Sequence, residues 1–148
     1  QARLASTLLN ATYEDRFLTC EGIPCTTPTA VVNAGNRIAG APRAWAYAEL
    51  RRADAQWGDA ALEWRAVGSV PVNDRNTDFS EGYGLLGARW SKAWRIGGGW
   101  RLESLLRVDN LLDRRHAASV IVNDANGRFF EPGAPRNALL SLRLATPL

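Results

Sequence analysis

The sequence predicts an all-β fold of about six antiparallel, up-and-down strands. Hydrophobic residues make up 46% of the chain, but they are scattered. No window approaches the roughly 18 consecutive apolar residues that a membrane-spanning helix needs. The dominant hydrophobic period between the turn signals is two, which is the period of a β-strand. The segments rich in turn residues alternate between short and long along the chain.

Two segments show the strand period most clearly. Between Trp100 and Asn110 one face carries Trp100, Leu102, Ser104, Leu106 and Val108, and the other carries Arg101, Glu103, Leu105, Arg107 and Asp109. From Ala61 to Val72 the residues Leu62, Trp64, Ala66, Gly68, Val70 and Val72 lie opposite Glu63, Arg65, Val67 and Ser69. Each predicted strand therefore has one apolar face and one more polar face.

The lengths of the strands and of their connections predict a partial transmembrane β-barrel. Four further strands are predicted at Leu4–Phe17, Ala44–Ala55, Gly82–Trp94 and Asn137–Leu144. The short turns are Gln56–Asp59 and Ile96–Gly98, and the long loops are Leu18–Pro42, Asn73–Glu81 and Leu111–Arg136. Strands of about 11 residues suit a tilted membrane crossing. Short turns on one side and long loops on the other are typical of outer-membrane barrels.

Aromatic residues fall near the predicted strand ends. They are Trp45, Tyr47, Trp57, Trp90, Trp94 and Trp100. At these positions an amphipathic ring can lie between acyl chains and headgroups. The alternative is that they are ordinary core aromatics of a soluble β-sandwich.

Charge and cysteine content narrow the possible partners. The net charge is +3, and Lys92 is the only lysine, so the positive charge is almost wholly arginine. The arginines alternate with acids and form no basic run, which disfavours nucleic-acid binding. Cys20 and Cys25 flank a short Pro-containing stretch and predict a disulfide across a surface loop in an oxidising compartment. Two free thiols are the alternative. A metal site is disfavoured, because no second pair of ligands lies near the two cysteines in the sequence.

Three stretches resemble the C-terminal part of TonB-dependent outer-membrane receptors. Gly35-Asn-Arg-Ile-Ala-Gly-Ala-Pro-Arg43 is similar to the G-x-R-L-x-x-x-P-R stretch before a late barrel strand of that family. Arg107-Val-Asp-Asn-Leu-Leu-Asp-Arg-Arg-His116 resembles its V-x-N-L-F-D-x-x-Y motif. The segment from Val122 to Asn137 is similar to the loop that precedes its last strand. The order and spacing of the three stretches also agree.

The resemblance implies that residues 1–148 are a C-terminal barrel segment of a receptor in the bacterial outer membrane. Such a receptor imports a ferric siderophore or similar scarce nutrient with energy from TonB, and its expected neighbours are outer-membrane lipid, further N-terminal barrel strands and a plug domain. The chain lacks methionine and begins with Gln1, so we expect a processed chain or fragment without plug or coupling box. The family's usual C-terminal aromatic residue is also missing. The alternatives are a passive porin or adhesion-type barrel and a soluble β-sandwich binding module.

Arginines and phenylalanines of the long loops are the candidate ligand-binding residues. They are Arg37, Arg43, Arg75, Arg114, Arg115, Arg128, Phe129 and Phe130. Guanidinium groups and aromatic faces suit the carboxylate or catecholate groups of iron chelates. The alternative is that these residues solvate loops, pair with one another or bind lipopolysaccharide phosphates.

The remaining motifs predict neither catalysis nor metal binding. His116 is the only histidine and is expected in a solvated loop. Asn123–Gly127 is expected to be a turn because the acidic ligands of a calcium loop are missing, and Gly97–Gly99 is expected to be a hairpin turn. No nucleophile arrangement is present. We therefore predict no enzyme activity, no metal and no cofactor.

Overall fold

A computed structural model describes residues 1–20 and 22–146. Within these ranges the chain is built from β-strands, and a single 3-10 turn lies at Gly97–Gly99. The strands are β1 (Ala2–Leu8), β2 (Phe17–Thr19), β3 (Ala30–Val32), β4 (Ala44–Asp54), β5 (Gly58–Val67), β6 (Val70–Pro71), β7 (Phe79–Ser80), β8 (Tyr83–Arg95), β9 (Arg101–Asp109), β10 (Ala117–Val120), β11 (Phe130–Pro132) and β12 (Asn137–Ala145). No helix in the part of the chain that the structure describes is long and apolar enough to cross a membrane.

Six long strands of the described chain form one antiparallel sheet in the order β1-β4-β5-β8-β9-β12. Each long strand pairs with the next one along the chain, so the predicted all-β, antiparallel, up-and-down arrangement is confirmed. The sheet is open, with β1 and β12 at its edges. Closure into a barrel is not a feature of this structure.

Two tight connections join the long strands at one end of the sheet. Between β4 and β5, Oδ1 of Asp54 accepts hydrogen bonds from the main-chain N–H groups of Gln56 (2.8 Å) and Trp57 (2.9 Å). Gly58 follows with φ 94°, and a Cβ there would lie 2.5 Å from the carbonyl oxygen of Ser91. Between β8 and β9 the predicted glycine turn is confirmed, with φ 76° at Gly98. We call this side the short-turn end.

Three long connections cover the opposite end, and we call them the loop layer: residues 9–43, 68–82 and 110–136. Each contains a two-stranded sheet of its own, namely β2–β3, β6–β7 and β10–β11. Ala30, Val32, Pro71 and Val72 are buried here, and Val32 and Val72 have no exposed surface. The loop layer therefore has an apolar core of its own, which burial of aliphatic side chains stabilises.

Two predicted strands extend too far. The strand predicted at Leu4–Phe17 ends at Leu8, because the chain then turns into the loop layer, where Thr12 bridges to Arg37. The strand predicted at Ala61–Val72 begins earlier, at Gly58, and leaves the main sheet after Val67. Its last part pairs instead with β7. Alternation continued through both loops, so periodicity alone could not mark where the strands change partners.

The register divides the long strands into two faces. The apolar face carries Leu4, Leu50, Leu62, Trp64, Leu86, Trp90, Leu106, Val108, Leu140 and Leu142. The polar face carries Arg3, Tyr47, Glu49, Glu63, Arg65, Arg89, Arg107 and Asp109. In β9 the predicted alternation is confirmed, because Leu106 pairs with Trp90 and Leu140, whereas Arg107 pairs with Arg89 and Leu139.

The aromatic residues predicted near strand ends divide between the two faces of the sheet. Trp57 lies in the β4–β5 turn, and Trp94 pairs with Leu102 near the short-turn end of the apolar face. Trp45 and Tyr47 instead share the polar face with Glu49, and the Tyr47 hydroxyl lies 3.3 Å from Oε2 of Glu49. These two rings therefore do not lie on the apolar face, because nearness to a strand end does not determine which face a side chain occupies.

Candidate functional site: a groove in the loop layer

Asp74 ties the three loops of the loop layer together. Its Oδ1 accepts a hydrogen bond from the Tyr13 hydroxyl (2.7 Å), and its Oδ2 accepts one from Nδ2 of Asn123 (2.7 Å). The main-chain N–H of Asp74 donates to Oδ1 of Asn123 (3.0 Å), and its carbonyl accepts from Nδ2 of Asn36 (2.9 Å). Tyr13 and Asn36 belong to the first loop and Asn123 to the third. The second loop is therefore hydrogen-bonded to both the first and the third loop.

The surroundings of Tyr13 change the pKa of its phenol. Burial, and then the hydrogen bond and charge of Asp74, raise the pKa of Tyr13 to about 12. The protonated phenol is the form that can donate to the carboxylate. We therefore expect the contact between Tyr13 and Asp74 to persist into the alkaline range.

Arg37 makes a second link between the first two loops. Its Nη2 donates to the carbonyl oxygens of Ser69 (2.7 Å) and Ala41 (3.3 Å), and its guanidinium carbon lies 5.9 Å from the centroid of the Phe79 ring. Burial, and then the charge of Arg43, lower the pKa of Arg37. The guanidinium of Arg37 is therefore engaged in holding the loops together.

The disulfide lies at the outer tip of the first loop. Cys20 and Cys25 are bonded to each other, with 5.9 Å between their Cα atoms. The bond closes the segment that joins β2 to β3, as the spacing of the two cysteines predicted. Ile23 in this tip is 88% exposed.

A groove of about 450 Å³ lies between the second and third loops. Its lining comes from the β7–β8 junction, the start of β10 and the strand β11. The lining residues are Phe79, Ser80, Glu81, Gly82, Tyr83, Arg114, Arg115, His116, Ala117, Phe130, Glu131 and Pro132. We call it the loop groove. It brings together three of the predicted ligand-binding residues, Arg114, Arg115 and Phe130.

Asn110 fixes the segment that carries the two groove arginines. It is only 4% exposed and has φ 51°, a left-handed conformation that asparagine tolerates better than most residues. Its Nδ2 donates to the carbonyl oxygens of Arg114 (3.0 Å) and Ala134 (3.2 Å), and its Oδ1 accepts from the main-chain N–H of Arg114 (2.9 Å). Asn110 therefore joins both ends of the third loop and positions Arg114 and Arg115.

His116 forms one wall of the loop groove. Its ring lies 4.5 Å from the ring of Tyr83, and Nδ1 lies 3.1 Å from the carbonyl oxygen of Arg114. A Cβ at position 133 would lie 2.1 Å from Nε2 of His116, so the ring needs glycine at Gly133. The expected solvated loop histidine is instead a half-buried residue packed between two chain segments.

The groove offers cations and aromatic surfaces together. Nη2 of Arg114 lies 3.4 Å from the carbonyl oxygen of Gly82, Arg115 is exposed, and Phe130 is 49% exposed. Glu131, which accepts a hydrogen bond from Ser119, and Glu81 add negative charge. Two guanidinium groups beside an aromatic ring can bind a planar anion through paired hydrogen bonds and stacking.

The other predicted ligand-binding residues do not line this groove. Arg43 and Arg75 are exposed on the first and second loops. Arg128 is exposed in the third loop, where its main-chain N–H donates to Oδ2 of Asp124 (2.7 Å). Phe129 is half-buried and meets Phe130 edge to face at 6.3 Å. These residues are dispersed around the loop layer.

The polar face of the sheet carries a network of charged residues that sequence reasoning did not single out. Arg89 bridges Oε2 of Glu49 (3.1 Å) and Oε1 of Glu63 (3.0 Å). Oε2 of Glu63 also meets Arg65 (3.0 Å) and Arg107 (3.5 Å). Glu49 and Glu63 are only 6% and 8% exposed. The parity of each strand was visible in the sequence, but the network depends on register across β4, β5 and β8, which no local pattern provides.

No family model matches the chain. Among the described residues, no group of three or more His, Cys, Asp or Glu side chains is arranged to hold a metal ion. Tyr83 and Glu131, which sequence reasoning did not select, also line the loop groove, from the start of β8 and from β11. The signals in the sequence that pointed to this region were the loop arginines and the similarity of the third loop to receptor loops.

Proposed function

We propose that this chain forms part of the wall of an outer-membrane β-barrel, with its apolar face against lipid and its polar face toward a water-filled interior. The supporting observation is the pattern of exposure. Leu106 is 42% exposed and Leu140 is 64% exposed, whereas the acids Glu49 and Glu63 are buried. A soluble sheet would instead bury its leucines. Lipid as the neighbour of the apolar face accounts for the exposed leucines, and on the polar face Arg89 pairs with both buried acids.

The open edges of the sheet support the same proposal. The outer sides of β1 and β12 have no partner strand among the described residues. In lipid, backbone groups without hydrogen-bond partners are costly, so strands cross membranes in closed barrels. We therefore propose that further strands of the intact protein pair with β1 and β12 and complete the barrel.

We further propose that the barrel belongs to a TonB-dependent receptor that takes up a ferric siderophore or a similar anionic nutrient chelate. Two things support this: the resemblance of the three sequence stretches, and the loop groove with Arg114, Arg115 and Phe130 at the end of the sheet opposite the short turns. Energy would come from TonB through parts of the protein outside this chain. Such a receptor belongs in the bacterial outer membrane.

A test of the membrane proposal compares the purified 148-residue chain in plain buffer and in detergent micelles. We expect no cooperative, monomeric β-fold in buffer, because the apolar face and both sheet edges would meet water. A cooperative, monomeric β-fold without detergent would overturn the barrel and favour the soluble β-sandwich.

A test of the receptor proposal measures binding of a panel of ferric chelates to the intact protein in detergent. Arg115→Gln removes a groove cation, and we expect binding of a recognised anionic chelate to weaken by about tenfold or more, because hydrogen bonds to charged groups contribute about 1.5 to 3 kcal/mol. Arg95→Gln is the matched control at the short-turn end and should bind like the unmodified protein. Chelate binding that is equal in both variants would contradict the groove assignment. Unsaturable permeation without chelate binding would favour a passive porin.

A further inference from the structure

Two cations, Arg52 and Lys92, lie toward the short-turn end of the apolar face, which also carries Trp90 and Trp94. Arg52 pairs with Ala60, which pairs with Trp90, so Arg52 and Trp90 lie in one row. Lys92 pairs with Ser104, two residues nearer the short turns than Trp90. Because alternate residues of a strand share a face, both side chains belong to the same face as Leu106.

Each cation is placed to reach beyond the apolar surface. The Arg52 side chain is 83% exposed, and its Nη2 lies 3.8 Å from Oδ2 of Asp54. Nζ of Lys92 lies 5.5 Å from the centroid of the Trp94 ring and donates to the carbonyl oxygen of Gln56. Long basic side chains at such positions cover apolar surface with their stems and present their charge to the interface.

Trp90 and Trp94 lie close to the two cations along the strand direction. The Trp90 and Trp94 rings meet edge to face at 5.9 Å, and Nε1 of Trp90 donates to the carbonyl oxygen of Trp57 (2.8 Å). Indole rings with a satisfied N–H lie preferentially where acyl chains meet headgroups. The cations Arg52 and Lys92 therefore lie at headgroup depth if lipid covers the apolar face.

The local charge favours an anion. Asp54 is the acid at this rim, and its Oδ1 is occupied by the main-chain N–H groups of Gln56 and Trp57. This rim therefore carries two positive charges and one negative charge, and one carboxylate oxygen of Asp54 already accepts two hydrogen bonds. A phosphodiester fits this arrangement, because arginine donates two parallel hydrogen bonds to phosphate oxygens and lysine adds a point charge.

We infer that Arg52 and Lys92, flanked by Trp90 and Trp94, bind the phosphate of an anionic phospholipid in the membrane leaflet on the short-turn side. This inference rests on the proposed barrel function. It assigns one lipid-binding site, and the class of lipid that binds there, to the apolar face of the sheet. The site also fixes the depth at which the short-turn end meets the membrane.

The experiment measures lipid selectivity of the intact protein in phosphatidylcholine vesicles that contain a trace of spin-labelled phosphatidylglycerol or spin-labelled phosphatidylcholine. The unmodified protein should retain the labelled phosphatidylglycerol preferentially. Arg52→Gln and Lys92→Gln should each reduce that preference about fivefold, since one basic residue near an anionic membrane surface contributes about that factor.

Arg101→Gln and Arg143→Gln are the matched controls. They remove cations from the same end of the sheet, but Arg101 and Arg143 pair with Glu103 and lie on the opposite face. Both controls should keep the preference of the unmodified protein. An unchanged preference in Arg52→Gln and Lys92→Gln, or an equal loss in all four variants, would overturn the lipid site while the barrel stands. Failure of the unmodified protein to insert into either vesicle would instead overturn the barrel itself.

Discussion

The sheet and the loop layer are built on opposite principles. In the loop layer, apolar side chains such as Val32 and Val72 are fully buried, and polar residues such as Asp74 link one loop to the next. In the sheet, leucines are exposed on one face, and the acids Glu49 and Glu63 are buried on the other. The loop layer thus has a small apolar core of its own, which burial of apolar area stabilises. The sheet has no such core on its apolar face, and in the proposed barrel lipid would cover the exposed leucines.

The largest expected effect comes from placing a charge on the apolar face. Leu106→Arg in the intact protein should cost about 2 to 4 kcal/mol of the free energy of unfolding, if residue 106 lies near the bilayer midplane. The matched control is Leu105→Arg, one residue away on the polar face, which should cost less than about 1 kcal/mol because a wet interior solvates the new charge. Arg107→Ala, on that same face, should also cost far less than Leu106→Arg. Denaturant titration in lipid vesicles gives all three values, and equal costs for Leu105→Arg and Leu106→Arg would contradict the two-faced sheet.

Shortening an aliphatic side chain should destabilise the loop layer more than the sheet. Val72→Ala should cost about 2 kcal/mol, since two buried methyl groups and their packing are lost. Leu140→Ala removes more carbon from an exposed position, yet it should cost less than about 1 kcal/mol in lipid, because acyl chains take the vacated place. Stability measurements on both variants test this ranking. A larger cost for Leu140→Ala would mean that protein, not lipid, packs on the apolar face.

The disulfide should have an effect confined to the loop layer. In the chain-entropy description, closing so short a segment contributes at most about 2 kcal/mol. We expect Cys20 and Cys25 to resist thiol labelling in unreduced protein, and reduction to increase amide hydrogen exchange in β2 and β3 without changing β8 or β9. Modification of both cysteines before reduction would contradict the bond.

The smallest expected effect concerns the alkaline titration of Tyr13. Because the folded-state pKa is raised from 10.0 to about 12, stability from this contact is fully present below pH 10 and is lost as the pH rises from there through about 12. Asp74→Asn removes the charge and the carboxylate acceptor, so the pKa of Tyr13 should fall toward its ordinary value. Ultraviolet difference titration, with Tyr13→Phe identifying the signal, checks this. A pKa of Tyr13 that is unaltered by Asp74→Asn would contradict the hydrogen bond between Tyr13 and Asp74.

The sequence predicted the sheet better than it predicted the loops. Alternation at Trp100–Asn110 was enough to place β9 and its faces, since a long strand repeats one local rule many times. The loop layer obeys no single period, so β6 was assigned to the end of β5, and the pairing of β2 with β3 was not foreseen. Asn110 illustrates the reason: its Nδ2 donates to the carbonyl oxygen of Ala134, which is 24 residues away, and such a long-range contact leaves no local pattern.

The candidate site, too, was only partly predictable from the sequence. Loop arginines were selected by residue type, and only Arg114 and Arg115 came together with Phe130 in the loop groove. Arg37 was selected on the same grounds but is engaged with the carbonyl oxygens of Ser69 and Ala41. Residue type indicates which chemistry a side chain can perform. Its neighbours, which depend on how the three loops pack, decide whether the side chain is available.

The most direct test of the central claim is a spin-label scan of β9 in bilayers. A single label is placed at each position from Arg101 to Asp109 in the intact protein, with the native cysteines left bonded, and its collision rates with oxygen and with a water-soluble nickel chelate are measured. We predict an alternation of period two, with labels at Leu102, Leu106 and Val108 favouring oxygen and labels at Glu103, Leu105 and Arg107 favouring the chelate. Labels at Leu102, Leu106 and Val108 that meet neither reagent would show a second protein layer over the apolar face and would contradict the barrel.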